Sequence, residues 1–189
     1  LIGYMRAQSA LRDAQIDAIK TYLYLKIACD NKPLPQLFYE GAFNTLDTNA
    51  LNNELISQPL RDFLTHNKAA LALYEYAKQN ADKSLLELIY QDYERLDYQG
   101  IFAKMFYDIS YTDYLFSLPM GAGKTYLMAA FIYLDLYFAL NEPSNKAFAH
   151  NFLILAPSGL KSSILPSLRN IEHFNPSWIL PEPSASEIK

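Results

Sequence analysis

The segment Leu118-Pro119-Met120-Gly121-Ala122-Gly123-Lys124-Thr125 sets two glycines, a lysine and a threonine in an order suited to holding a chain of phosphates. Gly121 and Gly123 let the backbone curl tightly, so that successive N–H groups converge on one anion. Lys124 brings a mobile positive charge for the β- and γ-phosphates, and the Thr125 hydroxyl can ligate Mg²⁺. The spacing follows Gly-x-x-x-x-Gly-Lys-Ser/Thr except at its first position, where Leu118 stands.

Such a loop needs a strand before it and a helix after it. Tyr114-Leu115-Phe116-Ser117-Leu118 is an apolar run that suits a buried strand. Residues 124–140 lack both Gly and Pro, and their length predicts a buried helix. Its N-terminus would direct free N–H groups and the positive end of the helix dipole at the phosphates. A second apolar run, 151–156, predicts another buried strand, closed by Pro157-Ser158-Gly159, with a helix over 160–172. Ser177-Trp178-Ile179-Leu180 is a third, short strand candidate. This β-α-β order predicts an α/β fold with a parallel sheet over 109–189.

Upstream, residues 1–108 read as helical. Leu11, Ala14, Ala18, Tyr22 and Leu25 form an apolar stripe within 8–28, ended by Asn31-Lys32-Pro33-Leu34-Pro35. Helical patterns follow over 50–65, where Pro59 predicts a break, and over 68–79. Ser84-Leu85-Leu86-Glu87 has the form of a capping box opening a helix to about Tyr98.

Composition narrows the class. The chain has 189 residues, half of them apolar, enough for a sizeable core. A net charge of −4 is not the footprint of a free-standing nucleic-acid binder, although a few basic side chains in one groove suffice for a motor. The single cysteine, Cys29, excludes an internal disulfide framework and fits a reducing cytoplasm. His66, His150 and His173 lack metal-ligand spacing. The 124–141 segment carries Asp135 and is too short and aromatic for a membrane span, and no signal peptide is visible, so no membrane partner is expected.

Together, Leu118 to Thr125 resembles motif I of superfamily 2 helicases and translocases, in which the position of Leu118 need not be glycine. Phe152-Leu153-Ile154-Leu155-Ala156-Pro157-Ser158-Gly159-Leu160-Lys161 is similar to motif Ia of that group, where a Pro-Ser turn touches the nucleic-acid backbone. Arg12-Asp13-Ala14-Gln15-Ile16-Asp17-Ala18-Ile19 resembles the Arg-x-x-Gln-x-x-Ala-Ile element ahead of motif I. Within the superfamily the chain looks most like the ATPase part of type III restriction enzymes, the Res subunit, alongside DEAD/DEAH-box proteins.

The resemblance implies a partial RecA-like nucleotide triphosphatase with a three-layer parallel sheet, preceded by the helical region. It implies a DNA-dependent ATPase or helicase-like translocase, part of a restriction endonuclease that acts on double-stranded DNA beside a Mod-like methyltransferase subunit. ATP would lie over Met120, Gly121, Ala122, Gly123, Lys124 and Thr125, with Lys124 and Thr125 catalytic and Thr125 on Mg²⁺. Gln15 would read the adenine edge, with a helical insertion over 30–108 explaining its distance from the loop; Gln99, at a shorter spacing, is the alternative. Ser158, Gly159 and Lys161 would touch DNA phosphates. No Asp-Glu pair follows Lys124, so the chain reads as a fragment that ends before the acidic Mg²⁺ box, inactive by itself. Two other readings stay open: a nucleotide-kinase-like enzyme, and a helical partner-binding module coupled to a nucleotide sensor.

Overall fold

A computed structural model describes residues 1–155 and 168–188. The chain divides into two compact units. One is built from Leu1–Asn31 together with Leu115–Lys189, the other from Lys32–Tyr114.

The expected RecA-like parallel sheet is not seen among the described residues. The chain is mainly helical, 58% helix, and no β-strand occurs among the described residues. Residues 114–118 and 151–155 form no regular secondary structure, and no backbone hydrogen bond among the described residues joins them to each other or to a third segment. A strand is defined by its ladder, and a parallel strand is covered on both faces. Here Leu115 is 92% exposed, and Leu153 and Leu155 are each 84% exposed. Local apolarity does not by itself supply a pairing partner. The third strand candidate folds instead as a 3₁₀ turn, Pro176–Trp178, capped by the Asn175 side chain accepting from the Ser177 N–H at 3.1 Å. Pro157, Ser158, Gly159, Lys161 and most of the 160–172 helix lie outside the described residues.

In the first unit, helix α1 (Ile2–Gln8) and helix α2 (Asp13–Leu23) precede a π-helical turn, Tyr24–Ala28. Met5, Ile16 and Ile19 from these elements pack with Leu127, Ala129, Ala130 and Leu134 of the long helix Lys124–Asn141 and with Phe174, Ile179 and Leu180. Ala129 and Ala130 are fully buried, and their small side chains suit close helix approach. One charge enters this core: Asp135 is 2% exposed. It accepts from the Tyr22 hydroxyl at 2.7 Å and the Ala149 N–H at 3.1 Å, and faces Lys26 Nζ at 3.5 Å. Tyr22 stacks on Phe131 at 4.2 Å between centroids, so the pair is held between α2 and the long helix.

The regular elements of the second unit are all helices: α3 (Leu34–Tyr39), α4 (Thr48–Asn52), α5 (Gln58–His66), α6 (Lys68–Gln79), α7 (Lys83–Asp92) and α8 (Tyr98–Met105). Asp47, Ser57, Asn67, Asp82 and Asp97 cap α4 to α8, each side chain accepting a first-turn N–H. Pro59 lies in the first turn of α5, where its missing N–H costs nothing, so it starts a helix rather than breaking one. The cap of α7 is Asp82, not Ser84, whose hydroxyl instead donates to Asp82 at 2.8 Å. Helix α6 runs through the middle of the core, burying Leu73, Tyr74 and Ala77 against Leu60, Leu64, Ile89 and Phe102. Its buried Glu75 accepts from Thr45 N–H and hydroxyl and from Leu46 N–H, which ties down the 41–47 turn. Burial pushes the Tyr98 phenol up to about 12, and its hydroxyl donates to the Tyr93 carbonyl at 2.6 Å.

Candidate nucleotide-binding site

The loop 119–123 is a tight turn closed by the Ala122 N–H donating to the Pro119 carbonyl at 3.2 Å. Gly121 and Gly123 both have φ of +78°, a left-handed conformation that side-chain-bearing residues rarely adopt. Gly123 is the N-cap of the 18-residue helix Lys124–Asn141, numbered α9 with the six helices of the second unit as α3 to α8. No side chain caps this helix, so its first-turn N–H groups have no side-chain acceptor among the described residues. Lys124 is exposed and Thr125 half-buried, and neither side chain makes a hydrogen bond or ion pair among the described residues. Met120 is 98% exposed and Ala122 buried.

A Cβ placed on Gly121 meets no atom within 4 Å, so open space lies beside the loop there. The donor set therefore fits an anion: turned glycines, an uncapped α9 N-terminus and an exposed lysine. For Mg²⁺ the loop offers one hydroxyl, Thr125; a metal held this way keeps water and phosphate oxygens for its other positions. Among the described residues, no cluster of three or more His, Cys, Asp or Glu side chains could hold a metal. Asp135, on the same helix, is committed to Tyr22, Lys26 and Ala149.

The start of α2 reaches the loop across more than a hundred residues of sequence. Gln15 Nε2 donates to the Gly123 carbonyl at 2.9 Å, while its Oε1 accepts the Arg12 N–H at 2.9 Å. The Arg12 guanidinium donates to the Gly121 carbonyl. Gln15 is 4% exposed. Gln15 thus belongs to the unit that holds the loop, whereas Gln99 is exposed on α8 of the other unit. The expected DNA contacts Ser158, Gly159 and Lys161 lie outside the described residues.

Two features of this region carry little signal in the sequence. Arg12 was legible only as part of a motif, with nothing to indicate its bond to a loop carbonyl. The Tyr22–Asp135–Lys26 cluster had one signal, a lone carboxylate in an apolar helix, which must find partners when buried.

No family model, no curated protein and no solved structure matches this chain. Among the described residues, no helix is long and apolar enough to cross a membrane.

Proposed function

We propose that the loop 119–125 binds the phosphates of a nucleoside triphosphate with Mg²⁺, and that the protein is an ATP-dependent enzyme acting on double-stranded DNA. Lys124 neutralises β/γ charge, Thr125 ligates Mg²⁺, and the N–H groups at the start of α9 complete the cradle. The observation that carries the reading is the pair of glycines at φ +78° leading directly into an uncapped 18-residue helix. The DNA-dependent activity rests on the sequence resemblance of 118–125 and 152–161 to helicase motifs, and the restriction-type partner, a Mod-like methyltransferase subunit, rests on the same ground. No Asp-Glu pair follows Lys124 in the sequence, so binding without appreciable hydrolysis is the expected behaviour of these 189 residues.

Titration with fluorescent Mg·ATP tests the site. Wild type should bind and Lys124→Ala should not; equal binding by both places the nucleotide elsewhere.

A second reading is a helical partner-binding module over 1–108 coupled to the nucleotide sensor, of which residues 32–108 fall within the compact unit 32–114. This unit has a hydrophobic core of its own, centred on α6, which suits a partner-binding module. Retained binding of a partner after nucleotide binding is abolished at Lys124 would favour it.

A further inference from the structure

A phosphate loop works by presenting N–H groups, and each N–H is locked to the carbonyl of its own peptide plane. In a trans peptide the two point in opposite directions. Fixing the Gly123 carbonyl therefore fixes the Lys124 N–H on the opposite side. Two donors hold the Gly123 carbonyl: the Leu127 N–H at 3.1 Å, from the first turn of α9, and Gln15 Nε2 at 2.9 Å. Arg12 holds the Gly121 carbonyl in the same way, two peptide planes earlier. Both side chains come from one short segment at the start of α2, and Gln15 is locked there by its own bond to the Arg12 N–H.

Gln15 can read a base only by offering a carbonyl oxygen and an NH₂ together to the base edge. Here both ends are engaged by backbone, and the side chain is 4% exposed. The loop has also been shaped around it. A Cβ on Gly123 would sit 2.6 Å from Gln15 Nε2, so the amide would have to leave its place on the Gly123 carbonyl.

We infer that Gln15 is a positioning residue that sets the phosphate loop from behind, with Arg12 beside it, so that the site selects the triphosphate and is indifferent to the base. This rests on the reading of 119–125 as a triphosphate site. Preorganised donors gain affinity because binding no longer has to order them.

The experiment is calorimetric titration of the full chain with Mg·ATP, Mg·GTP and Mg·tripolyphosphate, which carries no base. Wild type is compared with Gln15→Glu. Glutamate keeps the acceptor that caps α2 at Arg12 and loses the donor to Gly123. Circular dichroism melts set a temperature at which both proteins are fully folded, so a role in folding alone leaves affinity unchanged. Wild type should bind ATP and GTP within about threefold of each other, since sites that read an edge by hydrogen bonds discriminate far more strongly. Gln15→Glu should weaken all three ligands in parallel, by about tenfold or more, and the neutral Gln15→Met should do the same, which separates lost positioning from the charge that glutamate adds.

A wild-type preference for ATP beyond about tenfold, a loss confined to ATP, or no loss for any ligand overturns the inference while leaving the triphosphate site standing. Should wild type bind none of the three, the site itself is refuted and the inference with it. The wild-type comparison needs no variant and stands even where Gln15→Glu does not fold.

Discussion

Gln15 and Gly123 lie 108 positions apart, and the Gln15 side-chain amide donates to the Gly123 carbonyl at 2.9 Å. The contact joins the first turn of α2 to the N-cap of α9, the two helices whose buried faces make the core of the first unit. The geometry of the candidate site is thereby tied to the packing of the unit that carries it.

Gly123→Ala should be damaging for two separable reasons. Its φ of +78° costs a side-chain-bearing residue about 1 kcal/mol or more, and its Cβ would collide with Gln15 Nε2. Urea unfolding should show a loss of about 1–3 kcal/mol. Adding Gln15→Ala should recover the part due to the collision and leave the part due to backbone strain. Strictly additive losses in the double variant would show that the two residues do not meet.

Lys124→Ala should leave the melting temperature essentially unchanged, because the side chain is exposed and makes no hydrogen bond or ion pair among the described residues. Its triphosphate affinity should fall below detection. A large drop in melting temperature would mean that Lys124 has a structural role instead.

The Lys26–Asp135 pair is more than four-fifths buried on both sides, with side chains 12% and 3% exposed. Lys26→Met strands the Asp135 carboxylate in the core and should cost about 3–5 kcal/mol in chemical denaturation. Lys26→Met combined with Asp135→Asn removes both charges, while the amide oxygen still accepts from the Ala149 N–H and the amide NH₂ can donate to the Tyr22 hydroxyl oxygen. The double variant should therefore be more stable than Lys26→Met alone. The opposite order would show that the carboxylate is not held by Lys26.

Glu54 accepts from Lys78 Nζ and from the Tyr74 hydroxyl at 3.1 Å, and the Lys78 ammonium holds its carboxyl below the usual carboxylate range. A group whose folded pKa is depressed stabilises the fold above its unfolded pKa and loses that contribution as pH falls through the folded one. Melting temperature should thus fall between about pH 5 and pH 3 more steeply in wild type than in Glu54→Gln. Parallel curves would show that the pair contributes nothing in solution.

Much of the helical framework was legible before the structure. α6 matches the predicted 68–79 to the residue, and 124–140 falls one residue short of the observed helix. Both are long segments with uninterrupted helix formers, and their length separates them from strands. The absence of a sheet is not legible in the sequence, because five apolar residues, as at 114–118, look the same with or without a neighbouring strand to pair with. Pairing is a property of the whole chain. The short helices α1, α3 and α8 escaped notice because seven, six and eight residues are too few for a period to show. At the site, Gly121, Gly123 and Lys124 could be read directly from their types. The engagement of Gln15 by Gly123 could not, because an amide in a motif looks the same whether it faces a base or a backbone carbonyl.

The central claim is that the 119–125 loop holds a triphosphate, and backbone amide NMR tests it most directly. On titration with Mg·ATP, the amides of Gly121, Gly123, Lys124 and Thr125 should shift together and saturate, and Lys124→Ala should abolish the shifts while the rest of the spectrum stays folded. Unmoved loop amides at saturating Mg·ATP, or shifts that survive in Lys124→Ala, would contradict it.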